Sequence, residues 1–176
     1  MDSRFENKRK MIFDGLTSFL QIHEEKELNI SLLCRFSKIQ RHCFYNHYEN
    51  LLQLYDDYSK DLMETIEKDI HSKSPALATM EEKIQAFLDV IEKNKQRMNA
   101  YYRILKYEFS HARFYALEKA ILIQDSGYSF ENQIQEKFVM AGINAVIYDL
   151  FSSAKKADDS KKHMVMYVSS LIKKNL

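Results

Sequence analysis

Glycine and proline are nearly missing from this 176-residue chain, which has three Gly and one Pro. β-Sandwiches, hairpin arrays and Gly-rich phosphate loops all need residues that tolerate special backbone angles, so the shortage argues against each of them. Charge of one sign is missing too. Lys and Arg number 26 against 25 Asp and Glu, a formal net charge of +1, so any affinity for nucleic acid has to come from a local patch. No window approaches the ~18 to 20 uninterrupted apolar residues of a membrane span. The opening stretch, MDSRFENKRKMIF, lacks the apolar core and small-residue cleavage site of a secretory signal. The expectation is a cytoplasmic protein with no membrane partner, in which Cys34 and Cys43 remain ordinary thiols. What is present is apolar material, 45% of the residues, enough for a real core. An all-α protein is the expected fold class.

The periodicity supports this. Ile12, Leu16, Phe19 and Leu20 fall on one face of a helix over Met11 to Leu20. Asn29 is placed to cap a second, short helix from Ile30 to about Ser37, and after a tight turn at Ser37 and Lys38 a third runs from Gln40 to His47. From Glu49 a long helix carries Leu51, Leu52, Tyr55, Tyr58, Leu62, Met63, Ile66 and Ile70 at three- and four-residue steps until Ser74-Pro75 ends it. Thr79 and Glu82 have capping-box spacing and open a helix from Met80 to about Lys95. Farther on, Asp125-Ser126-Gly127 reads as a turn, and two final helices follow, from about Glu131 to Phe151 and from about Asp158 to Lys174.

The segment from Leu28 to Tyr48 contains no Asp or Glu but holds Arg35, Lys38, Arg41, His42 and His47. That local positive field coincides with two short helices joined by a tight turn, the arrangement of a helix-turn-helix whose second helix enters the DNA major groove. Phosphates take cations and neutral donors, and base edges take short polar side chains from the exposed face of that helix.

On these residues the chain resembles the TetR/AcrR family of bacterial transcriptional regulators. The match runs from Ile12 through Asn29-Ile30-Ser31-Leu32-Leu33-Cys34 to Ile39-Gln40-Arg41-His42-Cys43-Phe44-Tyr45-Asn46-His47-Tyr48. In that family a Phe-Tyr pair, one residue, then His and an aromatic close the recognition helix, as Phe44, Tyr45, His47 and Tyr48 do here. The resemblance implies that Ile30, Leu33, Ser37, Ile39 and Phe44 build a small core and that Arg41, Tyr45 and His47 face the DNA backbone. The full set expected at the duplex is Asn29, Lys38, Gln40, Arg41, His42, Tyr45 and His47. It implies a helix-turn-helix domain over residues 1–48 and a helical regulatory and dimerisation domain over 49–176. Three departures are visible. Lys38 stands where the family commonly has Gly or a small residue, so the turn must accept a side chain under strain. Cys43 replaces a Thr, and only Glu49 and Asn50 separate Tyr48 from Leu51, with no Lys at the start of the next helix. Operator contact is expected to be weaker or differently oriented as a result.

Other clusters have plainer readings. His42 and His47 are five residues apart, on separate helix faces, so no metal site is expected. Asp56-Asp57 and Glu81-Glu82 read as exposed or helix-N-terminal acids, and no nucleophile, base and orienting group form a recognisable catalytic set; no enzyme and no cofactor are expected. The aromatic stretch is core in its plainer reading and an effector pocket in the other, with Tyr101, Tyr102, Phe109, His111, Phe114 and Phe138 as its lining. Ile143, Val146, Ile147 and Leu150, with Met164, Tyr167, Val168 and Leu171, are the expected two-fold interface of a homodimer. The expected function is a ligand-responsive repressor of a palindromic operator on double-stranded DNA. The alternatives are a co-regulator of the same fold acting through a protein partner, or a helical-bundle small-molecule-binding protein.

Overall fold

Ile12, Phe13, Leu16, Phe19 and Leu20 line one face of α1, Ser3–Ile22, in a computed structural model of the chain, and all five are buried. The structure describes residues 3–73 and 79–104, and beyond them residues 115–117, 119, 133–134, 136–137, 140–142, 144, 147, 163, 165–166 and 170. All regular structure among the described residues is helical. The first helix starts at Ser3, well before the apolar stripe, because Phe5 and Arg9 find partners later in the chain.

After a single 3-10 turn, Glu25–Glu27, come α2, Ile30–Phe36, and α3, Arg41–Tyr45. Asn29 caps α2 as the sequence predicts, its Oδ1 accepting the Leu32 N–H at 3.0 Å. The long helix α4, Leu51–Lys73, opens on a reciprocal pair: Asn50 Oδ1 accepts from Gln53 N at 3.0 Å, and Gln53 Oε1 accepts from Glu49 N at 2.7 Å. Those two side chains satisfy amides that a helix start otherwise leaves open. The predicted capping box at Thr79 and Glu82 is present and opens α5, Met80–Lys93; α6, Lys95–Ile104, follows directly.

The described residues form two compact units. The first runs through Leu62 and resumes at Gln96; the second runs from Met63 to Lys95 and resumes beyond α6. In the first, α1 packs on α2 and α2 on α3. Leu33, Phe44, Tyr48, Leu54, Tyr55, Tyr58, Met98 and Tyr101 are buried there. Gln21 Nε2 donates to the Gln96 carbonyl at 3.1 Å and Arg103 Nη1 to the His23 carbonyl at 3.2 Å, so α6 is tied to the end of α1. In the second unit Ile66, Ile70, Ile84, Phe87 and Ile91 are buried, and Lys93 pairs with Asp69 at 2.7 Å. Farther along, Glu136 receives both Tyr115 at 2.6 Å and Lys119 at 2.8 Å. No helix among the described residues is long and apolar enough to cross a membrane.

Candidate nucleic-acid interface

The turn between α2 and α3 is a Schellman motif. Ser37 ends α2, Ile39 N–H reaches back to the Cys34 carbonyl at 3.0 Å, and Lys38 N–H to the Arg35 carbonyl at 3.2 Å. That geometry needs a left-handed residue after the cap, and Lys38 supplies it with φ of 54°, the strain expected at this position. A left-handed L-residue costs ~1–2 kcal/mol, and Gly brings back ~0.5–1 kcal/mol of backbone entropy. Lys38→Gly is therefore expected to stabilise the chain by roughly 0.5–1 kcal/mol, seen as a higher urea midpoint.

Above the turn, α1 and α2 touch at backbone distance. A methyl group at Gly15 would lie 2.7 Å from both the Ser37 Cα and the Ser37 N, and closer still to its hydroxyl. Ser37 is buried, and its Oγ has no hydrogen-bond partner among the described residues. The glycine is therefore the residue that lets the helix-turn-helix seat on α1. Nothing in the periodicity singles it out, although a Gly among Ile12, Leu16 and Phe19 on a buried helical stripe is the available signal.

The outer face of α3 carries polar side chains expected at the duplex. Arg41 and His42 are exposed, and Tyr45 is 49% exposed. Arg41 Nη2 donates to the Tyr45 hydroxyl at 3.3 Å, so guanidinium and phenol stand together one helical turn apart. His42 Nε2 lies 3.3 Å from Cys43 Sγ. Gln40, Lys38 and Asn29 are exposed as well, and Asn29 and Arg41 line one open groove of about 810 Å³ between the starts of α2 and α4. At five residues, Arg41–Tyr45, α3 is shorter than its predicted span. Of the core residues expected, Leu33, Ser37 and Phe44 are buried, while Ile30 and Ile39 are half-buried.

His47 is half-buried. Its ring stacks on Phe5 of α1 with centroids 3.9 Å apart. Burial pushes its pKa below the ordinary value near 6.5, with Glu6 and Asp57 pulling up and Arg9 pushing down. A depressed folded pKa means the unfolded chain takes up the proton first, so this stability is complete above about pH 6.5 and is lost as pH falls toward the folded value. Urea midpoints measured across that range should fall for the wild type and stay flatter for His47→Phe, which keeps the stack without the titration.

Next to it lies a polar cluster that spacing does not reveal. The Tyr48 hydroxyl donates to Asp57 Oδ2 at 2.7 Å, and Arg9 grips the same carboxylate through Nε at 2.8 Å and Nη2 at 2.9 Å. Arg9 Nη1 reaches Asp61 Oδ1 at 2.8 Å, whose second oxygen takes Arg97 Nη2 of α6 at 2.8 Å. Asp57 is half-buried, not the open acid its position beside Asp56 suggests. Burial raises its pKa, but the hydrogen bonds from Arg9 and Tyr48 outweigh this and hold it below the ordinary value.

Of the aromatic stretch, Tyr101 is buried and Tyr102 half-buried, their rings edge-on at 5.8 Å. Phe109, His111, Phe114 and Phe138 lie outside the described residues. So do Ile143, Val146, Leu150, Met164, Tyr167, Val168 and Leu171, whereas Ile147 is described and buried. No cluster of three potential metal ligands occurs among the described residues.

A three-helix helix-turn-helix followed by a larger set of helices is the TetR-like fold, and comparison with solved structures shows it over nearly the whole chain. A TetR transcriptional regulator from Streptococcus agalactiae 2603V superposes with a TM-score of 0.66 at 16% identity, covering 95% of this chain and 96% of that one. The dihydroxyacetone kinase operon activator DhaS gives 0.60 at 18% identity, covering 96% and 97%. The TetR family regulator PfmR from Thermus thermophilus gives 0.59 at 10% identity, covering 93% and 97%. No family model and no curated protein sequence matches the chain.

Proposed function

We propose that this protein is a ligand-responsive transcriptional regulator that binds a palindromic operator as a homodimer and acts as a repressor. The observation that carries the reading is the outward face of α3. Arg41 and Tyr45 stand together on it, exposed, inside a segment free of carboxylates, and on a fold shared with transcriptional regulators. Residues 1–48 bear the DNA-binding domain and 49–176 the regulatory and dimerisation domain in this reading. One recognition helix of five residues buries little surface. Two held ~34 Å apart read successive major grooves with far higher affinity. An effector that fits one arrangement of the larger domain moves α4 and shifts operator affinity by the difference between its own affinities for the two arrangements. The protein is not an enzyme in this account.

A gel shift with the DNA upstream of the protein's own gene tests it. Binding should weaken steeply with salt, and Arg41→Ala, which removes one contact from each half-site, should cost at least roughly tenfold in affinity and flatten the log–log salt slope by about 2. A second reading is a co-regulator that works through a protein partner. It is favoured by the junction, where Glu49 and Asn50 alone precede α4 and offer no cation to a phosphate. A folded dimer with no binding or with salt-insensitive binding selects that reading.

A further inference from the structure

We infer that Tyr48 and Asp57 are positioning residues that set the pitch of the recognition helix, and so govern how well α3 distinguishes one DNA sequence from another. The inference rests on the DNA-binding reading above. At five residues, α3 is too short to hold its own direction. Its first end is fixed by the turn at Lys38, and its last end has to be fixed from outside. Two adjacent contacts do this: the His47 ring on Phe5, and the Tyr48 hydroxyl on Asp57. The second has a direction. A buried phenyl ring packed only by apolar neighbours can tilt, but a phenol 4% exposed with a 2.7 Å bond to a carboxylate points one way.

Asp57 itself is held. Arg9 of α1 binds both of its oxygens, and Arg9 is in turn braced by Asp61, which Arg97 of α6 also engages. Each of the two half-buried carboxylates, Asp57 and Asp61, is paired with a guanidinium, which offsets the cost of taking its charge partly out of water. Tyr48 is thus tied to α4 directly and to α1 and α6 through three further pairs, Arg9–Asp57, Arg9–Asp61 and Arg97–Asp61. Contacts to base edges demand this fixity, because they depend on short polar side chains meeting fixed positions in the groove. Long cations reaching phosphates tolerate a tilt.

The test compares binding to two duplexes at one salt concentration: the duplex that the wild-type protein selects from a random-sequence pool, and a scrambled duplex of the same composition. Tyr48→Phe keeps the buried ring and removes only the hydroxyl. Asp57→Asn keeps an acceptor for Tyr48 and loses the charge that Arg9 grips. Both are expected to lose about tenfold on the selected duplex and less than about twofold on the scrambled one, narrowing discrimination without reducing general affinity. A role in stability alone lowers the melting temperature and leaves the ratio of the two affinities unchanged, which overturns the inference. Equal losses on both duplexes overturn it too. If the wild-type protein selects no duplex, the DNA-binding reading falls and this inference with it.

Discussion

Gly15→Ala is expected to cost about 3 kcal/mol, because an added methyl meets backbone rather than a side chain that could swing away. The atoms in its path are the Ser37 Cα and N, each 2.7 Å from where the new carbon would sit. Relief requires α1 and α2 to separate, which loosens the contacts of Leu16 and Leu33, both fully buried. For a chain of this length the loss corresponds to a fall of roughly 6–12 °C in Tm. Adding Ser37→Gly removes the hydroxyl but not the backbone, so it should restore only part of the loss. Ser18→Ala, on the exposed side of the same helix, should be neutral or slightly stabilising. An unchanged Tm for Gly15→Ala would show that the two helices do not approach as described.

Arg9→Ala is the second large effect, expected at about 2–3 kcal/mol from the loss of hydrogen bonds between charged groups. The guanidinium also lies over the Phe13 ring at 4.6 Å, so its stem and its charge are both used. Without it, Asp57 keeps the Tyr48 hydroxyl but loses both bonds from Arg9, and Asp61 keeps Arg97 but loses the equal bond from Arg9. The pH dependence gives a second readout. Asp57 has a lowered folded pKa, so its contribution is present above the ordinary carboxylate range and is lost as pH falls through the folded value. The gap between wild type and Arg9→Ala should be widest near neutrality and should narrow as pH falls below about 4. Arg9→Lys should fall between them, keeping the charge without the two-pronged grip.

Local signals in the sequence are enough for the elements and not for the cluster behind α3. Asn29 and the Thr79 and Glu82 pair announce helix starts because a cap acts within three residues, and both form as read. The apolar stripe of α1 and the strained turn at Lys38 are local in the same sense. Arg9, Asp57 and Arg97 are separated by long stretches of chain, and each looks like an ordinary surface charge in its own helix. Only the packing of α1, α4 and α6 brings them together. His47 shows the same limit. The motif places it at the end of the recognition helix, but its stack on Phe5 depends on α1 extending back to Ser3, where the sequence has no apolar period to reveal it. Gly15 escapes notice for a different reason: spacing counts the side chains present, and here the missing side chain matters.

Hydroxyl-radical footprinting of the DNA upstream of the protein's own gene tests the central claim most directly. The account predicts two short protected tracts, related by the symmetry of a palindrome and centred about one helical turn apart, which Arg41→Ala forms only at a protein concentration at least roughly tenfold higher. Uniform reactivity along the duplex with folded protein in excess, or protection by Arg41→Ala at the same protein concentration as the wild type, would contradict it.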